Sequence, residues 1–345
     1  MVSWFDESRL DDGEVLAGID ESLRALAETG ARVRREASEA QSAITEAVAR
    51  TQDSPRPRAV LAAGPDSRLL RAVLEPWCPV PFVAWPSPNL PGWAGSLDLV
   101  VVLAPDGHGA GVASAVAEAV RRGCQVVVAC PAGSQVAEHA AGRWSSVLPT
   151  VSRDQLATAV VVLEYLERVA LGPRTDAEAV ATALDEVATE CSPFRDLAVN
   201  PAKMLAIAMA DTNPVVWGGS VLAARAARRI AESIRRASGR GALAGDAEHL
   251  LPVLEAARPV DTFADPFTDG PATGERRPML LVLDDGSEEA VVREERGRLQ
   301  AAAAARGVRV ERLTTDAPTE VARYASLYLS GSYAAQYLHL GLVDE

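Results

Sequence analysis

Valine-rich apolar runs alternate with amphipathic stretches through the first half of the chain, and few folds accommodate this order. Leu97–Leu103 shows no alternation of polar and apolar residues, as expected of a strand that is covered by helices on both faces. Strands separated by helix-length segments form βαβ units and therefore parallel sheets. The runs are Ala59–Ala63, Val80–Val83, Leu97–Leu103, Gln125–Cys130 and Ser146–Leu148. The first half is thus predicted to contain a parallel sheet flanked by helices.

The second half repeats this pattern in weaker form. With 345 residues the chain is long enough for two domains, each of which can bury its own core. The second set of apolar runs comprises Pro214–Trp217, Met279–Leu283 and Val308–Leu313. We therefore expect an α/β protein with two Rossmann-like halves, each a mainly parallel sheet with helices on both sides.

Apolar residues at helical spacing define the segments around the two sheets. Long helices are predicted for Asp20–Arg50, Val151–Leu171 and Pro318–Leu340, and Arg258–Pro278 is predicted to be a loop or mobile insertion because of its Pro, Asp, Thr and Gly content. The expected organisation is a helical N-terminal arm over residues 1–54, a first domain over 55–172, a helical connection over 173–199 and a second domain over 200–345.

The charge balance restricts the class of partner. The chain carries 34 basic and 47 acidic residues, a formal net charge of −13, and such a field repels a nucleic-acid backbone. No apolar run reaches the ~20 residues that a membrane span requires, and the first residues lack the order of a signal peptide. These observations predict a cytoplasmic protein that binds neither nucleic acid nor membrane.

Cysteines and histidines give no pattern typical of a metal site. The four cysteines form no Cys-x-x-Cys pair and are expected to be reduced and buried. No His, Cys and carboxylate spacing suits a metal, and neither a Gly-x-Ser-x-Gly elbow nor a Walker loop is present. The sequence therefore predicts no metal and no cofactor.

One run of about thirty residues combines two features that suit a phosphate ligand. Asn200-Pro-Ala-Lys203 opens a helix, and Trp217-Gly-Gly-Ser220 then joins an apolar strand to a helix rich in small residues. A glycine turn at a helix N-terminus lets backbone N–H groups approach an anion. A glycine pair on its own more often marks a tight turn between strand and helix, so the neighbouring helix is needed for the interpretation.

This run resembles the opening of the second sugar isomerase (SIS) domain in the bifunctional phosphoglucose/phosphomannose isomerases, where an Asn-x-Ala-Lys helix precedes a strand that ends in a Gly-Ser-Gly-like turn. The similarity extends over about residues 55–340. It implies a double-SIS fold, a sugar-phosphate ligand and interconversion of hexose 6-phosphates without a cofactor. The positions that the resemblance assigns to phosphate binding are Gly218, Gly219, Ser220, Gly64, Ser67, Gly107 and Gly109.

The loop after Leu97–Leu103 departs from the family. SIS domains place a Ser-Tyr-Ser-Gly-Asn-Thr loop there, whereas this chain has Ala104-Pro-Asp-Gly-His-Gly109, with no hydroxyl and with Asp106. A carboxylate repels a phosphate dianion, while hydroxyl and N–H donors bind it. We therefore expect any phosphate to bind at Gly218–Ser220 rather than at Pro105–Gly109.

The catalytic residues of the family have only partial counterparts. Aldose–ketose isomerisation needs a base between adjacent carbons and a group that opens the ring, and Glu248 and His249 are the candidates for these roles. Neighbours on a helix diverge by about 100°, so the alternative is that both are surface residues. Arg153 corresponds to an arginine that stabilises charge on the substrate, or else it is an exposed helix arginine. The family's late lysine is missing.

Two functions remain open. The first is a sugar-phosphate-binding SIS protein of the isomerase type, whose hexose 6-phosphate isomerase activity is weak or absent. The second is a catalytically inactive, dimeric SIS protein with a regulatory or structural role. The resemblance also implies a homodimer. The tyrosines of the C-terminal helix offer a surface for it, namely Tyr324, Tyr328, Tyr333 and Tyr337.

Overall fold

The computed structural model of the chain describes residues 3–52, 54–64, 67–258 and 276–344. Most of the predicted insertion Arg258–Pro278 therefore lies outside the described residues. Two compact units are present, one built from the described parts of Met1–Glu28 and Ala183–Glu345 and the other from those of Thr29–Thr182. We call the former the C-terminal unit and the latter the N-terminal unit. Across the described ranges, no helix has both the length and the hydropathy to cross a membrane.

The chain begins with short elements that belong to the C-terminal unit. They are β1 (Ser3–Phe5), a 3-10 turn (Glu7–Leu10), α1 (Gly13–Ala17) and α2 (Asp20–Ala27). The predicted helix Asp20–Arg50 is interrupted at Glu28, which follows α2. The next helix begins at Thr29, the first residue of the N-terminal unit. The N-terminal arm is therefore divided between the two units.

The N-terminal unit is a five-stranded parallel sheet with the strand order β3-β2-β4-β5-β6. Every residue of the central strand β4 is buried, which explains its uninterrupted apolar sequence. The elements are α3 (Thr29–Thr51), β2 (Val60–Ala63), α4 (Ser67–Leu74), β3 (Phe82–Trp85), β4 (Leu99–Leu103), α5 (Ala110–Arg121), β5 (Gln125–Cys130), α6 (Gln135–His139), β6 (Ser145–Pro149) and α7 (Gln155–Arg168).

The C-terminal unit contains a four-stranded parallel sheet with the order β10-β9-β7-β8. The strand β11 pairs antiparallel with β1. The elements, after the helix α8 (Ala177–Glu190) that leads into the unit, are α9 (Pro201–Met209), β7 (Thr212–Gly218), α10 (Val221–Ser238), β8 (Leu243–Ala244), α11 (Ala247–Glu255), β9 (Arg277–Asp284), α12 (Ala290–Ala305), β10 (Arg309–Thr314), α13 (Glu320–Gly341) and β11 (Leu342–Asp344).

The two parallel sheets confirm the predicted α/β fold. All eight apolar runs of the sequence overlap strands β2 to β7, β9 and β10, once the two-residue β8 is set aside. The strands β1, β8 and β11 were not predicted, because two or three residues are too short to show a period.

Both sheets share one strand order. In each parallel sheet, the strand that comes first along the chain lies between the second and the third. Strand β2 lies between β3 and β4, and β7 lies between β8 and β9. The connections therefore leave the first strand in opposite directions and open a crevice at the carboxyl ends of the first and third strands. Ligands of open α/β sheets bind at such crevices. Each unit thus has one expected ligand position.

The C-terminal helix α13 is not the exposed aromatic surface that the sequence suggested. Tyr324, Tyr333 and Tyr337 are 4%, 1% and 0% exposed, because α13 packs against α9 and α10 within its own unit. Tyr328 is partly covered by the Arg229 guanidinium, whose central carbon lies 5.4 Å from the centre of the tyrosine ring. Tyr324, Tyr333 and Tyr337 are therefore core residues, and only Tyr328 is partly exposed.

Candidate functional site

The crevice of the C-terminal unit contains the predicted phosphate turn, Gly218–Ser220, between β7 and α10. The hydroxyl of Ser220 accepts a hydrogen bond from Ala223 N at 3.0 Å and so caps α10. The same hydroxyl donates to the Asp285 carboxylate, just beyond β9. The single donor of this hydroxyl is therefore used within the protein.

The two glycines of this turn are required by packing. A Cβ atom at Gly218 would collide with the backbone of Ala223, and one at Gly219 would collide with Val292 and lie 2.9 Å from the Trp217 ring. Glycine permits this close contact between strand and helix. The turn therefore has a structural explanation that needs no ligand.

Two carboxylates and two arginines lie close to Ser220 or to its partner Asp285. Asp285 bonds to the Ser220 hydroxyl, and the adjacent Asp284 accepts hydrogen bonds from Arg296 at 3.0 Å and from Arg312. Within about 4 Å, two like charges near a protein surface repel by several kcal/mol before solvent screening. This crevice therefore holds an internal ion network where the sequence predicted a phosphate. The contact with Asp285 was not predicted, because this residue follows the neighbouring strand β9 and lies 65 positions further along the chain than Ser220.

The crevice of the N-terminal unit combines Gly64, at the end of β2, with Ser67, the first residue of α4. Gly64 has φ of +95°, and only a Val112 methyl group would lie near an added Cβ, at 3.5 Å. Ser67 is 1% exposed, and its buried hydroxyl makes no hydrogen bond to a described residue. Pro65 and Asp66 lie outside the described residues. A buried hydroxyl without a partner is costly, so this hydroxyl needs an acceptor that the described residues do not supply.

The second loop of this crevice, after β4, contains Gly107 and Gly109, with φ of +70° and +123°. Gly107 packs against Ser134 and Pro131, which assigns it a structural role. Gly109 faces open space and precedes α5, and no side chain caps the N-terminus of this helix. The free N–H groups of an uncapped helix end attract anions. Asp106, in the same loop, is exposed.

The predicted catalytic residues lie on the surface of their units. Glu248 and His249 are neighbours in the first turn of α11, both are exposed, and the side chain of neither makes a hydrogen bond to a described residue. Arg153 is exposed in the segment between β6 and α7 of the N-terminal unit. The roles of these three residues stay predictions.

The Asn-Pro-Ala-Lys segment has a structural function. Asn200 Oδ1 accepts hydrogen bonds from Ala202 N and Lys203 N at 3.0 and 3.1 Å, and Pro201 occupies the first helical position, so the motif starts α9. Lys203 is fully buried, and its Nζ donates to Asp11 at 2.6 Å and to the carbonyl oxygens of Pro193 and Arg195 at 2.9 Å each.

A polar cavity of about 550 Å³ lies between α3, α7 and the start of α8 in the N-terminal unit. Arg34 donates to both carboxylate oxygens of Glu178 along its wall. Glu164 Oε2 is buried there without a hydrogen-bond partner among the described residues, and burial raises the pKa of this carboxyl. No three metal-ligating side chains come together anywhere in the described part of the chain.

Comparison with known proteins supports the fold. Residues 198–341 match the family model for the bacterial phospho-glucose isomerase C-terminal SIS domain. No curated protein matches the chain. The crystal structure of tagatose-6-phosphate ketose/aldose isomerase from Escherichia coli is similar, with a TM-score of 0.63 at 13% identity, over 93% of this chain and 93% of that one.

A second solved structure is similar over most of its length. The C-terminal domain of glucosamine-fructose-6-phosphate aminotransferase from Francisella tularensis aligns with a TM-score of 0.56 at 11% identity, over 89% of this chain and 95% of that one. At sequence identities of 13% and 11%, these structural similarities establish a shared fold and no more. The match to the SIS-domain family model is confined to residues 198–341, in the second half of the chain.

Proposed function

From a chain whose residues 198–341 match an SIS domain and whose overall fold is shared with sugar-phosphate enzymes, we propose that the protein binds a hexose 6-phosphate and isomerises it weakly or not at all. The buried hydroxyl of Ser67 in the crevice of the N-terminal unit, which has no hydrogen-bond partner among the described residues, carries this proposal. No cofactor and no metal take part in the proposed function.

The crevice of the N-terminal unit suits the phosphate better than that of the C-terminal unit. Its Ser67 hydroxyl and the uncapped N-terminus of α5 supply donors, whereas Ser220 is already bonded to Asp285. A charge-assisted hydrogen bond contributes about 1.5–3 kcal/mol, which is comparable to the repulsion that Asp285 would add. We therefore place the phosphate beside Gly64, Ser67 and Gly109, in preference to the expectation of Gly218–Ser220.

Weak catalysis follows from the positions of the two ionisable candidates. Proton transfer between adjacent sugar carbons requires a base within hydrogen-bond reach of the carbon acid. Glu248 and His249 are both exposed neighbours on α11, and no hydrogen bond to a described residue orients either side chain. A bound sugar phosphate would accordingly be held without efficient proton transfer.

The alternative proposal is a dimeric regulatory or structural protein without a ligand. The bond between Ser220 and Asp285 favours it, because protein atoms there use the donors that a ligand would need. The proposed homodimer does not rest on the tyrosines of α13, because Tyr324, Tyr333 and Tyr337 are buried. A monomer in light scattering at micromolar concentration would rule the dimer out.

The test is calorimetric titration with glucose, mannose and fructose 6-phosphates, alongside coupled isomerase assays. We expect binding that Ser67→Ala weakens at least about fivefold, as loss of a roughly 1 kcal/mol hydrogen bond requires, and that Ser220→Ala leaves unchanged. Loss of affinity in the Ser220 variant alone would return the phosphate to the C-terminal unit. Turnover at an ordinary enzymatic rate would refute the claim of weak catalysis.

A further inference from the structure

Three of the six tryptophans of the chain are exposed at one edge of the N-terminal unit. Trp77, Trp93 and Trp144 are 56%, 47% and 55% exposed, and Leu97 beside them is 63% exposed. We call these four residues, with Arg58 and Arg143, the amino-edge patch. Soluble proteins rarely expose several large apolar side chains together unless the surface has a partner.

Backbone contacts place the patch residues along one edge. All five strands of this sheet are parallel, and each of these residues precedes the strand next to it. Leu97 O accepts from Arg58 N at 2.7 Å before β2 and β4, and Trp144 O, just before β6, accepts from Val126 N near the start of β5 at 2.9 Å. Since neighbouring strands lie about 4.8 Å apart, the edge from β3 to β6 is roughly 19 Å long. This edge is opposite the crevice proposed for the sugar phosphate.

Arginines lie over two of the exposed rings. The guanidinium carbon of Arg143 is 4.8 Å from the centre of the Trp144 ring, and that of Arg58 is 5.7 Å from the centre of Trp93. Such cation–π contacts hold the guanidinium flat and leave its N–H edge available. Arg58 already donates to Asp98. Arg143, in contrast, makes no ion pair or hydrogen bond with a described residue.

The edge has a small excess of positive charge, in contrast to the net charge of −13 of the whole chain. Segments 54–58, 75–81, 91–98, 121–124 and 141–144, which precede the strands, contain five arginines and two carboxylates, and a third carboxylate, that of Glu118, pairs with Arg121 and Arg122. One of these carboxylates, Asp98, is fully buried beneath Arg58. Local positive charge on an acidic protein steers acidic partners to that surface.

From these observations we propose that the amino-edge patch docks an acidic protein segment that carries apolar side chains. Tryptophan and arginine are the residues that dominate binding energy at protein interfaces. Because arginines cover faces of two rings, the patch is poorly suited to stacking sugar rings. The carboxylates of the partner would pair with Arg143, and its apolar side chains would pack on Trp93, Leu97 and Trp144.

The test uses a fluorescein-labelled peptide of Glu-Glu-Phe-Leu repeats and fluorescence anisotropy with the full chain. We expect binding that Trp93→Ala, Trp144→Ala and Arg143→Glu each weaken about tenfold or more, as interface anchors do. The control variants are Trp4→Ala, at a tryptophan 49% exposed in the other unit, and Arg298→Glu, at an exposed arginine of α12. Both should bind as the unmodified protein does. Thermal unfolding of each variant checks that it is folded.

Four results would overturn the proposal. These are no binding of the acidic peptide, equal binding of the same peptide with glutamine in place of glutamate, equal losses in the control variants, and a protein dimer that Trp144→Ala dissociates. The last result would make a second copy of the chain the occupant. Hexose 6-phosphate titration of the patch variants separates this proposal from the proposed function, because their sugar-phosphate affinity should be unchanged.

Discussion

At the level of single residues, Lys203 joins three segments of the C-terminal unit. Its Nζ bonds to Asp11 from the first residues of the chain, to carbonyl oxygens of Pro193 and Arg195 in the loop before α9, and lies 5.6 Å from the centre of the Tyr337 ring. The motif that suggested a family thus fixes a loop and a helix start. The sequence identified the segment correctly but not its task, because the acceptors lie far apart in the chain.

Lys203→Met should destabilise the C-terminal unit by about 2–3 kcal/mol, because removing the buried ammonium group leaves the carbonyl oxygens of Pro193 and Arg195 without their donor. Urea denaturation would measure this loss of stability.

The hydrogen bond from Lys203 lowers the pKa of Asp11 below its ordinary 3.8. The stability that Asp11 contributes is therefore present above that pH and lost below it. Asp11→Asn should match the unmodified protein only in acid, and an unchanged difference at low pH would contradict this.

Glu164→Gln should stabilise the N-terminal unit, increasingly so at higher pH. Burial raises the pKa of Glu164 above its ordinary 4.5, so the folded state keeps a proton that the unfolded state releases, and stability falls as pH rises above 4.5. Glutamine removes this loss. Thermal unfolding should show little difference at pH 4.5 and a gain of about 2–4 °C at pH 8.

Glu178, in the same cavity, provides a control of opposite sign. The hydrogen bond from Arg34 lowers the pKa of Glu178, so Glu178→Gln should not stabilise the unit at any of these pH values. Since this carboxylate is exposed, the loss should be small. A gain at pH 8 in both variants would mean that burial of Glu164 is not the cause.

Asp106→Ser should strengthen hexose 6-phosphate binding if the phosphate lies in the crevice of the N-terminal unit. The exposed carboxylate of Asp106 lies in the loop between β4 and α5, and its removal relieves repulsion on the order of 1 kcal/mol. Calorimetry should report an affinity about fivefold higher. An unchanged affinity would place the ligand elsewhere.

At the level of elements, two glycines inside helices have opposite surroundings. An added Cβ at Gly331, in α13, would lie 2.5 Å from two carbon atoms of the Ile230 side chain in α10, whereas at Gly297, in α12, it would meet nothing within 4 Å. Gly331 thus permits the close packing of α10 and α13. Gly297 has no such packing role, and it lowers the stability of α12 through the backbone entropy that a glycine loses in a helix.

Alanine substitutions at these two positions should change stability in opposite directions. Gly297→Ala should stabilise by about 0.5–1 kcal/mol, the helix-propensity difference. Gly331→Ala should destabilise by about 1–3 kcal/mol through overpacking. Denaturant unfolding of both variants makes the comparison, and stabilisation by both would show that Ile230 moves aside without cost.

The longer strands could be predicted from the sequence, and the strands of two or three residues could not. Runs such as Gln125–Cys130 and Leu97–Leu103 coincided with strands because a buried parallel strand is apolar throughout. The pair β1 and β11 could not be foreseen, since its three-residue strands come from opposite ends of the chain. The hydrogen bond between Ser220 and Asp285 depended on strand neighbours that no local pattern shows.

At the level of the whole molecule, the charge of −13 should oppose the approach of a sugar phosphate. Repulsion between like charges slows association, and salt screens it over a Debye length of about 8–10 Å near physiological ionic strength. Stopped-flow association rates for a hexose 6-phosphate should therefore rise with salt. A rate that falls with salt would show that local positive charge controls the encounter.

Lys203 is the single lysine of the sequence, and its side chain is completely buried. An endoprotease specific for lysine therefore has one potential cleavage point, which the folded C-terminal unit protects. Cutting there requires α9 to open, and it yields two fragments, residues 1–203 and 204–345. The rate of this one cut reports how often that unit opens under native conditions, without a label or a denaturant.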